Sequence, residues 1–181
     1  MLSKLSLASS ILYSSSFAAS TEEWKKRSVY QVLTDRFYCG LNECQPCTDL
    51  SNYCGGDWKG LTKGLPYIDG VLGFDAIWIS PVVDNMEGGY HGYWAQDWEK
   101  TNSHFGSDED LKELVNEAHK RGMYVMVDVV ANHVAPVGED YRTINPFNRD
   151  QHYHENCDID FTNPDQKQKE DCRLADLPDL K

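Results

Sequence analysis

Three polar residues within and just after an apolar run could act together. The stretch Met123–His133 begins directly after Gly122, and its polar members are Asp128, Asn132 and His133. A continuous apolar run of this length predicts a strand buried on both faces. Asn132 and His133 then lie just past its carboxyl end, where parallel α/β sheets gather ligands and chemistry. A carboxylate within the run is costly unless it is hydrogen-bonded or paired.

Each of these residues also has a structural interpretation when it is taken singly. Asp128 on its own favours a satisfied structural carboxylate, and Asn132 favours a turn residue. His133 alone indicates no role. A function for the three therefore depends on what lies beside them in the fold.

The aromatic segment, defined as residues 90–94, is a second candidate for ligand binding. It reads Tyr90-His91-Gly92-Tyr93-Trp94, and Trp98 follows it. Aromatic faces bind the apolar faces of sugar rings, and a histidine can hydrogen-bond sugar hydroxyls. The same pattern is compatible with a hydrophobic plug over one end of a barrel.

Acidic residues late in the sequence form a third candidate site. Glu170, Asp171 and Asp179 could be a solvated acidic face, as most acidic clusters are. They could also be oxygen ligands that join Asn132 around calcium, because Ca²⁺ takes carboxylate and amide oxygens. Both interpretations stay open at this point.

Two further strands are predicted upstream of Met123. Residues 28–33 form a short β-prone run, and residues 76–79 form a buried strand that Ser80 and Pro81 end. A helical pattern follows each of them, so the order is strand, helix, strand, helix, strand. This alternation predicts right-handed βαβ units in a parallel sheet.

Each helical pattern has an apolar face and a glycine at its end. The first has Pro66 near its start and ends at Gly73. The second begins at Ser107, which forms a box-like capping pattern with Asp110, and it stops at Gly122. The apolar faces consist of Leu61, Leu65, Ile68 and Leu72 in the first helix and of Leu111, Leu114, Val115 and Ala118 in the second.

Three stretches lack this periodicity. Residues 39–56 are predicted to be a loop stapled by cysteines, and a long loop is predicted up to Phe105 before the second helix. Residues 135–181 show little periodicity and many Asp, Asn and His. Such a stretch is typical of a lid, a ligand-binding excursion or an inserted subdomain.

Composition limits the partners of this chain. Its 181 residues are 40% hydrophobic, enough to bury a core, and carry a formal net charge of −12. The negative charge argues against nucleic acid or an anionic membrane surface as a partner. It suits a neutral substrate and a hard cation such as calcium.

Residues 1–20 resemble a secretory signal peptide. Lys4 gives a positive start, Leu5–Phe17 is a short apolar run, and the small residues at 18–20 permit cleavage. The run is too short to span a bilayer, and no later segment is apolar enough to do so. We therefore expect a secreted protein; the alternative is a disordered or anchoring N-terminus.

Six cysteines in two clusters favour disulfide bonds in a secreted protein. Proximity predicts a bridge between Cys157 and Cys172 and two local bridges among the other four. A zinc site is the weaker interpretation, because the Cys-x-x-Cys pair at 44–47 has no matching second pair or histidine. The other four cysteines are Cys39, Cys44, Cys47 and Cys54.

Several motifs resemble the α-amylase family, glycoside hydrolase family 13. Asp-Val-Val-Ala-Asn-His at 128–133 is similar to the first signature motif of that family. Further stretches between Trp24 and Lys181 are similar, in the same order, to secreted fungal-type α-amylases. They are Tyr-Cys-Gly-Gly at 53–56, Gly-Phe-Asp-Ala-Ile-Trp-Ile-Ser-Pro at 73–81, His-Gly-Tyr-Trp at 91–94, Arg-Gly-Met-Tyr at 121–124 and Leu-Pro-Asp-Leu at 177–180.

The resemblance implies a (β/α)8 barrel with an irregular calcium-binding domain inserted after the third strand. Residues 21–134 would be the N-terminal part of the barrel, with its first three βα units. Residues 135–181 would be the beginning of the inserted domain. Cys157 would pair with Cys172 inside that domain, and Cys54 would pair with Cys47 or Cys44.

The resemblance also implies roles for the candidate residues, carried over by position. Asn132, Glu170 and Asp179 would bind calcium. Asp128 would be a buried supporting carboxylate, and Tyr93 would stack on a sugar. The sugar subsite at the cleavage point would be lined by His91, Tyr93, Trp94 and His133.

The activity implied is endo-acting, retaining hydrolysis of α-1,4-glucosidic bonds in starch, glycogen or maltooligosaccharides, by an enzyme that is monomeric at full length. Retention needs two carboxylates roughly 5 Å apart. The family's nucleophile lies in a Gly-x-Arg-x-Asp pattern that this sequence lacks, so we expect the nucleophile and the acid beyond Lys181 and no catalysis by this chain alone. Two alternatives are a secreted, non-catalytic carbohydrate- or calcium-binding product and a disulfide-stapled structural protein.

Overall fold

The structure, a computed structural model, describes residues 18–40 and 46–181. Most of the predicted signal peptide lies outside the described residues, and so does Cys44. The strands are β1 (Val29–Val32), β2 (Ala76–Ile79), β3 (Val83–Asn85), β4 (Ala95–Thr101) and β5 (Tyr124–Val127). The α-helices are α1 (Thr21–Trp24), α2 (Thr34–Phe37), α3 (Trp58–Pro66), α4 (Asp108–Lys120) and α5 (Gln166–Asp171).

Strands β1, β2 and β5 form a parallel sheet with β2 in the centre. Val29 lies beside Ala76, and Ala76 lies beside Tyr124, so the three strands run in step. The predicted order of parallel βαβ units is confirmed. Because parallel strands end at the same edge, the residues that follow β1, β2 and β5 emerge together.

Strand β5 is not buried on both faces, and this part of the prediction was wrong. Tyr124, Val125 and Met126 are only half-buried, and Val127 is 37% exposed. Within the described sheet β5 pairs with β2 alone, so it is an edge strand with one uncovered side. An apolar run shows that a strand tolerates burial, whereas its neighbours decide whether it is buried.

Helices α3 and α4 cover the sheet and form the main core with it. The side chain of Asp57 caps α3 by accepting a hydrogen bond from the backbone N–H of Gly60. Since α3 runs from Trp58 to Pro66, Pro66 ends the α-helical part and does not lie near its start, where it was predicted. A π-helical turn, Tyr67–Val71, follows it. The predicted capping box at the start of α4 is confirmed. The core contains Trp58, Leu61, Leu65, Ile68, Ile77, Ile79, Phe105, Leu114 and Met123, whereas Leu72 is exposed.

Strands β3 and β4 form an antiparallel hairpin in the stretch that was predicted to be a loop. The aromatic segment lies in the connection between them, held by a 3.0 Å bond from the backbone N–H of Met86 to the carbonyl of Trp94. β4 contains several charged residues, which are depleted in strands, so its sequence carries little strand signal.

The stretch after Ala135 folds around a second, smaller core. Its regular elements are short: 3₁₀ turns at Tyr141–Thr143 and Asp150–His152, and helix α5. Backbone hydrogen bonds from Ala135 and Asn145 to β4 attach it to the hairpin. Val134, Ala135, Tyr141, Ile144 and Tyr153 are buried there, with Trp94 and Trp98 packed against them. In the part of the chain that the structure describes, no helix is long and apolar enough to cross a membrane.

Candidate carbohydrate-binding site

A pocket of about 230 Å³ opens at the carboxyl ends of β1, β2 and β5. Two hydrogen bonds join the residues that follow β1 and β2 at this pocket. The hydroxyl of Ser80 accepts from the backbone N–H of Thr34 at 3.1 Å and donates to the hydroxyl of Thr34 at 2.8 Å. This edge of an open α/β sheet is where ligands bind. The lining residues are Gln31, Val32, Leu33, Trp78, Ser80, Tyr93 and Asp128.

Tyr93 joins the aromatic segment to the residue that follows β5. Its hydroxyl donates a hydrogen bond of 2.8 Å to Oδ2 of Asp128. Burial and this carboxylate raise the pKa of the Tyr93 hydroxyl, so it remains a donor at neutral pH. The ring is 36% exposed and is available to a ligand in the pocket.

Asp128 is half-buried, which corrects the expectation of a buried carboxylate. It follows the edge strand β5, so only one side of it is covered by the described sheet. Its backbone N–H donates to the carbonyl of Ile79 at 3.0 Å, which fixes the residue at the end of β2. The Tyr93 hydroxyl therefore meets a carboxylate that the strands hold in place.

Two histidines bond to the backbone of Tyr93, one at its N–H and one at its carbonyl oxygen. The backbone N–H of Tyr93 donates to Nδ1 of His91 at 3.0 Å, and Nε2 of His133 lies 3.1 Å from the carbonyl oxygen of Tyr93. Burial lowers the pKa of both imidazoles; the positive charge of Arg36 adds to the effect on His91. Both rings are thus suited to accept and donate hydrogen bonds as neutral groups.

Gly92 allows the aromatic segment to turn close to the end of β2. Its φ is +87°, and a Cβ there would lie 2.7 Å from the ring of Pro81. Trp94 is half-buried and packs edge-on against His91, with 4.9 Å between ring centroids. The segment therefore presents Tyr93 and His91 near the pocket, while Trp94 also packs against the second core.

Two of the three predicted calcium ligands lie on adjoining backbone. His133 and Asp179 form an antiparallel bridge, in which Leu180 donates its backbone N–H to the carbonyl of Asn132 at 2.8 Å. Asp179 is 4% exposed and contacts Nδ1 of His154 at 2.7 Å. Asp179 is buried and Asn132 is exposed; a carboxylate and a side-chain amide on adjoining backbone are donors of the kind that a hard cation takes.

Glu170 is placed differently from Asn132 and Asp179. It is exposed on α5 and accepts a hydrogen bond from the side chain of Gln166. Asp171 rather than Glu170 approaches His154, at 3.7 Å from Nε2. Within the described residues, no group of three or more His, Cys, Asp and Glu side chains is arranged to hold a metal ion.

The predicted disulfides are present where the described residues include both partners. Cys47 pairs with Cys54, and Cys157 pairs with Cys172. Cys39 is also disulfide-bonded. The zinc interpretation therefore finds no support in these cysteines.

Sequence reasoning assigned no role to Asp35 and Arg36, which lie beside the aromatic segment. Asp35 accepts hydrogen bonds from the backbone N–H groups of Cys54 and Gly55, and Arg36 stacks on Tyr90 at 3.8 Å. Their position in the sequence could have indicated a role, because they follow β1 as Asn132 follows β5, the third strand of the parallel sheet.

A parallel sheet that gathers polar and aromatic side chains at its carboxyl edge is the arrangement of a (β/α)8-barrel active site. A family model described as the catalytic domain of alpha amylase matches residues 11–174. The chain belongs to the α-amylase family, and its three parallel strands are the N-terminal part of the barrel.

Named relatives support the same assignment. Alpha-amylase 3 of Schizosaccharomyces pombe is 45% identical over 159 residues, which are 80% of this chain and 28% of that protein. The solved α-amylase of Malbranchea cinnamomea is 45% identical, with a TM-score of 0.83 over 90% of this chain and 37% of its own. The α-amylase of Geobacillus thermoleovorans, solved with acarbose, is 40% identical, with a TM-score of 0.76 over 87% of this chain and 34% of its own. The chain thus spans about a third of the length of these relatives.

Proposed function

We propose that the full-length protein is an endo-acting, retaining α-amylase that cleaves α-1,4-glucosidic bonds in starch, glycogen and maltooligosaccharides. The observation that supports this most directly is the bond from Tyr93 to Asp128 over the pocket. It holds a partly exposed aromatic ring at the carboxyl edge of the barrel strands, where it can stack on a sugar.

This chain supplies one wall of the substrate cleft. Tyr93 stacks on the glucose unit, and the neutral imidazoles of His91 and His133 hydrogen-bond its hydroxyls. Trp94 closes the cleft on the side of the second core. Asp128 orients Tyr93 and does not itself attack the substrate.

Hydrolysis of the glucosidic bond needs two catalytic carboxyl groups in addition to these sugar-binding residues. A retaining glycosidase uses a nucleophile and an acid/base that are roughly 5 Å apart. Among the described residues that line the pocket, Asp128 is the only carboxylate, and it is bonded to Tyr93. We therefore propose that this chain binds maltooligosaccharides without hydrolysing them, and measurable release of reducing sugar from starch by the purified chain would contradict this.

Calorimetric titration with maltotriose tests the binding. We expect saturable binding that Tyr93→Ala weakens by at least roughly tenfold, the loss expected for a stacked aromatic contact. Tyr67→Ala is the matched control, because Tyr67 is also an exposed tyrosine but lies on the π-helical turn after α3. Equal affinities for the two variants, or no binding by the unmodified chain, would overturn the proposal.

We further propose that calcium binds to Asn132 and Asp179. A side-chain amide oxygen and a carboxylate are ligands that Ca²⁺ takes, and the bridge between residues 133 and 179 places them on neighbouring backbone. The ion would join the end of β5 to the second core. Glu170 stays a predicted third ligand, and in this structure it accepts a hydrogen bond from the side chain of Gln166.

Secretion is also a proposal, supported by the disulfides. Disulfides persist in oxidising compartments. The test is the intact mass of the native protein collected from the medium, together with its N-terminal sequence. We expect a start close to residues 18–21 and a mass well above the 20.6 kDa of this chain; a retained residue 1 would contradict the signal peptide, and a mass just below that value would exclude a full-length enzyme.

A further inference from the structure

We propose that Arg36 is a positioning residue that holds the aromatic segment over the pocket by clamping it to the loop that Cys47 and Cys54 close. The inference rests on the proposed function, because the segment matters through the sugar that Tyr93 binds. It concerns a side chain that neither contacts Tyr93 nor lines the pocket.

The guanidinium of Arg36 has a different partner on each side. Its Nη2 donates to the carbonyl oxygens of Leu50 at 3.0 Å and of Asn52 at 2.8 Å. Its Nε lies 2.7 Å from Oδ2 of Asp35. Its flat face covers the ring of Tyr90, with 3.8 Å from Cζ to the ring centroid.

Asp35 anchors this arrangement to the end of β1. Its side chain is 1% exposed and accepts from the backbone N–H groups of Cys54 and Gly55. Gly56 donates its own N–H to the carbonyl of Asp35, and a Cβ at Gly56 would lie 2.2 Å from the carbonyl oxygen of Thr34. The loop is therefore held against β1 by a buried carboxylate and a close backbone approach.

The clamp reaches the sugar site through two short contacts. The rings of Tyr90 and His91 are 5.0 Å apart, and Nδ1 of His91 accepts the backbone N–H of Tyr93. Displacement of Tyr90 would therefore move His91 and, through it, Tyr93. The positive charge of Arg36 also helps burial to lower the pKa of His91, which keeps Nδ1 free to accept.

Arginine suits this place better than lysine. A planar guanidinium can stack on an aromatic ring while its edge donates to carbonyl oxygens, as Nη2 of Arg36 does to Leu50 and Asn52. An ammonium group on a flexible stem can keep the charge but cannot reproduce the stacked geometry.

Arg27 provides a matched control in the same chain. Its Cζ lies 3.8 Å above the ring of Tyr124, and its Nη1 lies 3.1 Å from Asp75. This is the same pairing of arginine, tyrosine and aspartate, but Tyr124 is the first residue of β5, at the opposite end of the sheet from the pocket. Replacing Arg27 removes similar contacts without touching the aromatic segment.

The experiment compares Arg36→Met, Arg36→Lys and Arg27→Met in the full chain. Histidine ring carbons are labelled, and the ring signal of His91 is followed by NMR against pH without ligand and then against maltotriose. We expect Arg36→Met to shift the His91 signal, to raise the pKa of His91, and to weaken maltotriose binding roughly tenfold, the range of a partly desolvated cation–π contact. Arg36→Lys is expected to leave the pKa of His91 closer to that of the unmodified chain while it weakens binding as Arg36→Met does.

The proposal is overturned if Arg36→Met leaves the His91 signal and the affinity unchanged, or if Arg27→Met alters them equally. If Arg36→Met does not fold, Arg36→Lys decides alone: unchanged affinity would contradict the positioning role. A change in the ligand-free His91 signal in a chain that fails to bind maltotriose would support the clamp and refute the proposed function. If the unmodified chain binds maltotriose and Arg36→Met leaves the His91 signal unaltered, the proposed function is supported and the clamp is refuted.

Discussion

The hydroxyl of Tyr93 and the carboxylate of Asp128 are 35 residues apart in the sequence and 2.8 Å apart in the structure. The bond ties the connection of the β3–β4 hairpin to the end of strand β5. Since Tyr93 lines the pocket and is 36% exposed, the bond determines how its ring meets a sugar. The relationship therefore links the antiparallel hairpin to the parallel sheet at the point where substrate is proposed to bind.

Removing only this hydroxyl should weaken sugar binding less than removing the ring. We expect Tyr93→Phe to lower the affinity for maltotriose about fivefold, because a hydrogen bond contributes about 1 kcal/mol. Tyr90→Phe is the control, since it keeps the ring beneath Arg36 and the hydroxyl of Tyr90 makes no hydrogen bond within the described residues. Titration calorimetry measures both; an unchanged affinity for Tyr93→Phe would show that the bond does not orient the ring.

The capping box of α4 should make part of the stability dependent on pH. Hydrogen bonds from Ser107 and the ion pair with Lys59 hold the pKa of Asp110 below its usual range. A depressed carboxyl pKa stabilises the fold above the ordinary value and loses that contribution as pH falls through the folded value. We expect Asp110→Asn to unfold with a weaker pH dependence than the unmodified chain as the pH falls below the ordinary carboxyl value of about 4.

Urea unfolding at several pH values measures this effect. Glu109→Gln is the control, because Glu109 lies on the exposed face with a single ion pair of 3.9 Å to Lys112. Ser107→Ala should cost about 1 kcal/mol through loss of the cap. Parallel pH profiles for Asp110→Asn and the unmodified chain would count against the box as the source.

The disulfide between Cys157 and Cys172 should stabilise the second core. It closes a loop with a sequence separation of 15, and the backbone N–H of Arg173 donates to the carbonyl of Cys157 at 2.7 Å. Loss of the cross-link in Cys157→Ala/Cys172→Ala is expected to cost about 3 kcal/mol. Chemical denaturation detects the loss, and an unchanged midpoint would mean that the backbone contacts alone order this region.

Calcium should stabilise the chain through Asp179. At a free calcium concentration of 100 times its dissociation constant, the gain is about 2.7 kcal/mol, and a chelator should abolish it. We expect Asp179→Asn to lose the calcium-dependent rise in melting temperature, and Asp171→Asn, which changes the other carboxylate near His154, to keep it.

Glu170→Gln tests the remaining predicted ligand in the same melting assay. Loss of the calcium effect would mean that Glu170 turns toward Asp179 when the ion binds. An effect of full size would remove Glu170 from the set of ligands. A calcium effect that survives Asp179→Asn would remove Asp179 as well.

Local chemistry determined several of the regular elements of this protein, although not the β3–β4 hairpin. The apolar run at 76–79 becomes β2, and Ser107 with Asp110 begins α4 as their spacing predicts, because neighbouring residues alone form these patterns. The stapled loop and its cysteines also follow from local sequence. The motif at 128–133 indicated the family. The order of the strands indicated a parallel sheet and thus the edge where the site residues meet.

Only the tertiary structure decided which polar groups touch. Tyr93 reaches Asp128, and Arg36 reaches Tyr90, across separations that no local pattern reports. It also decided that β5 is half-exposed, because burial depends on the strand beside it and not on its own composition. A sequence specifies which contacts each residue can make, whereas the packing of distant segments selects the contacts that form the site.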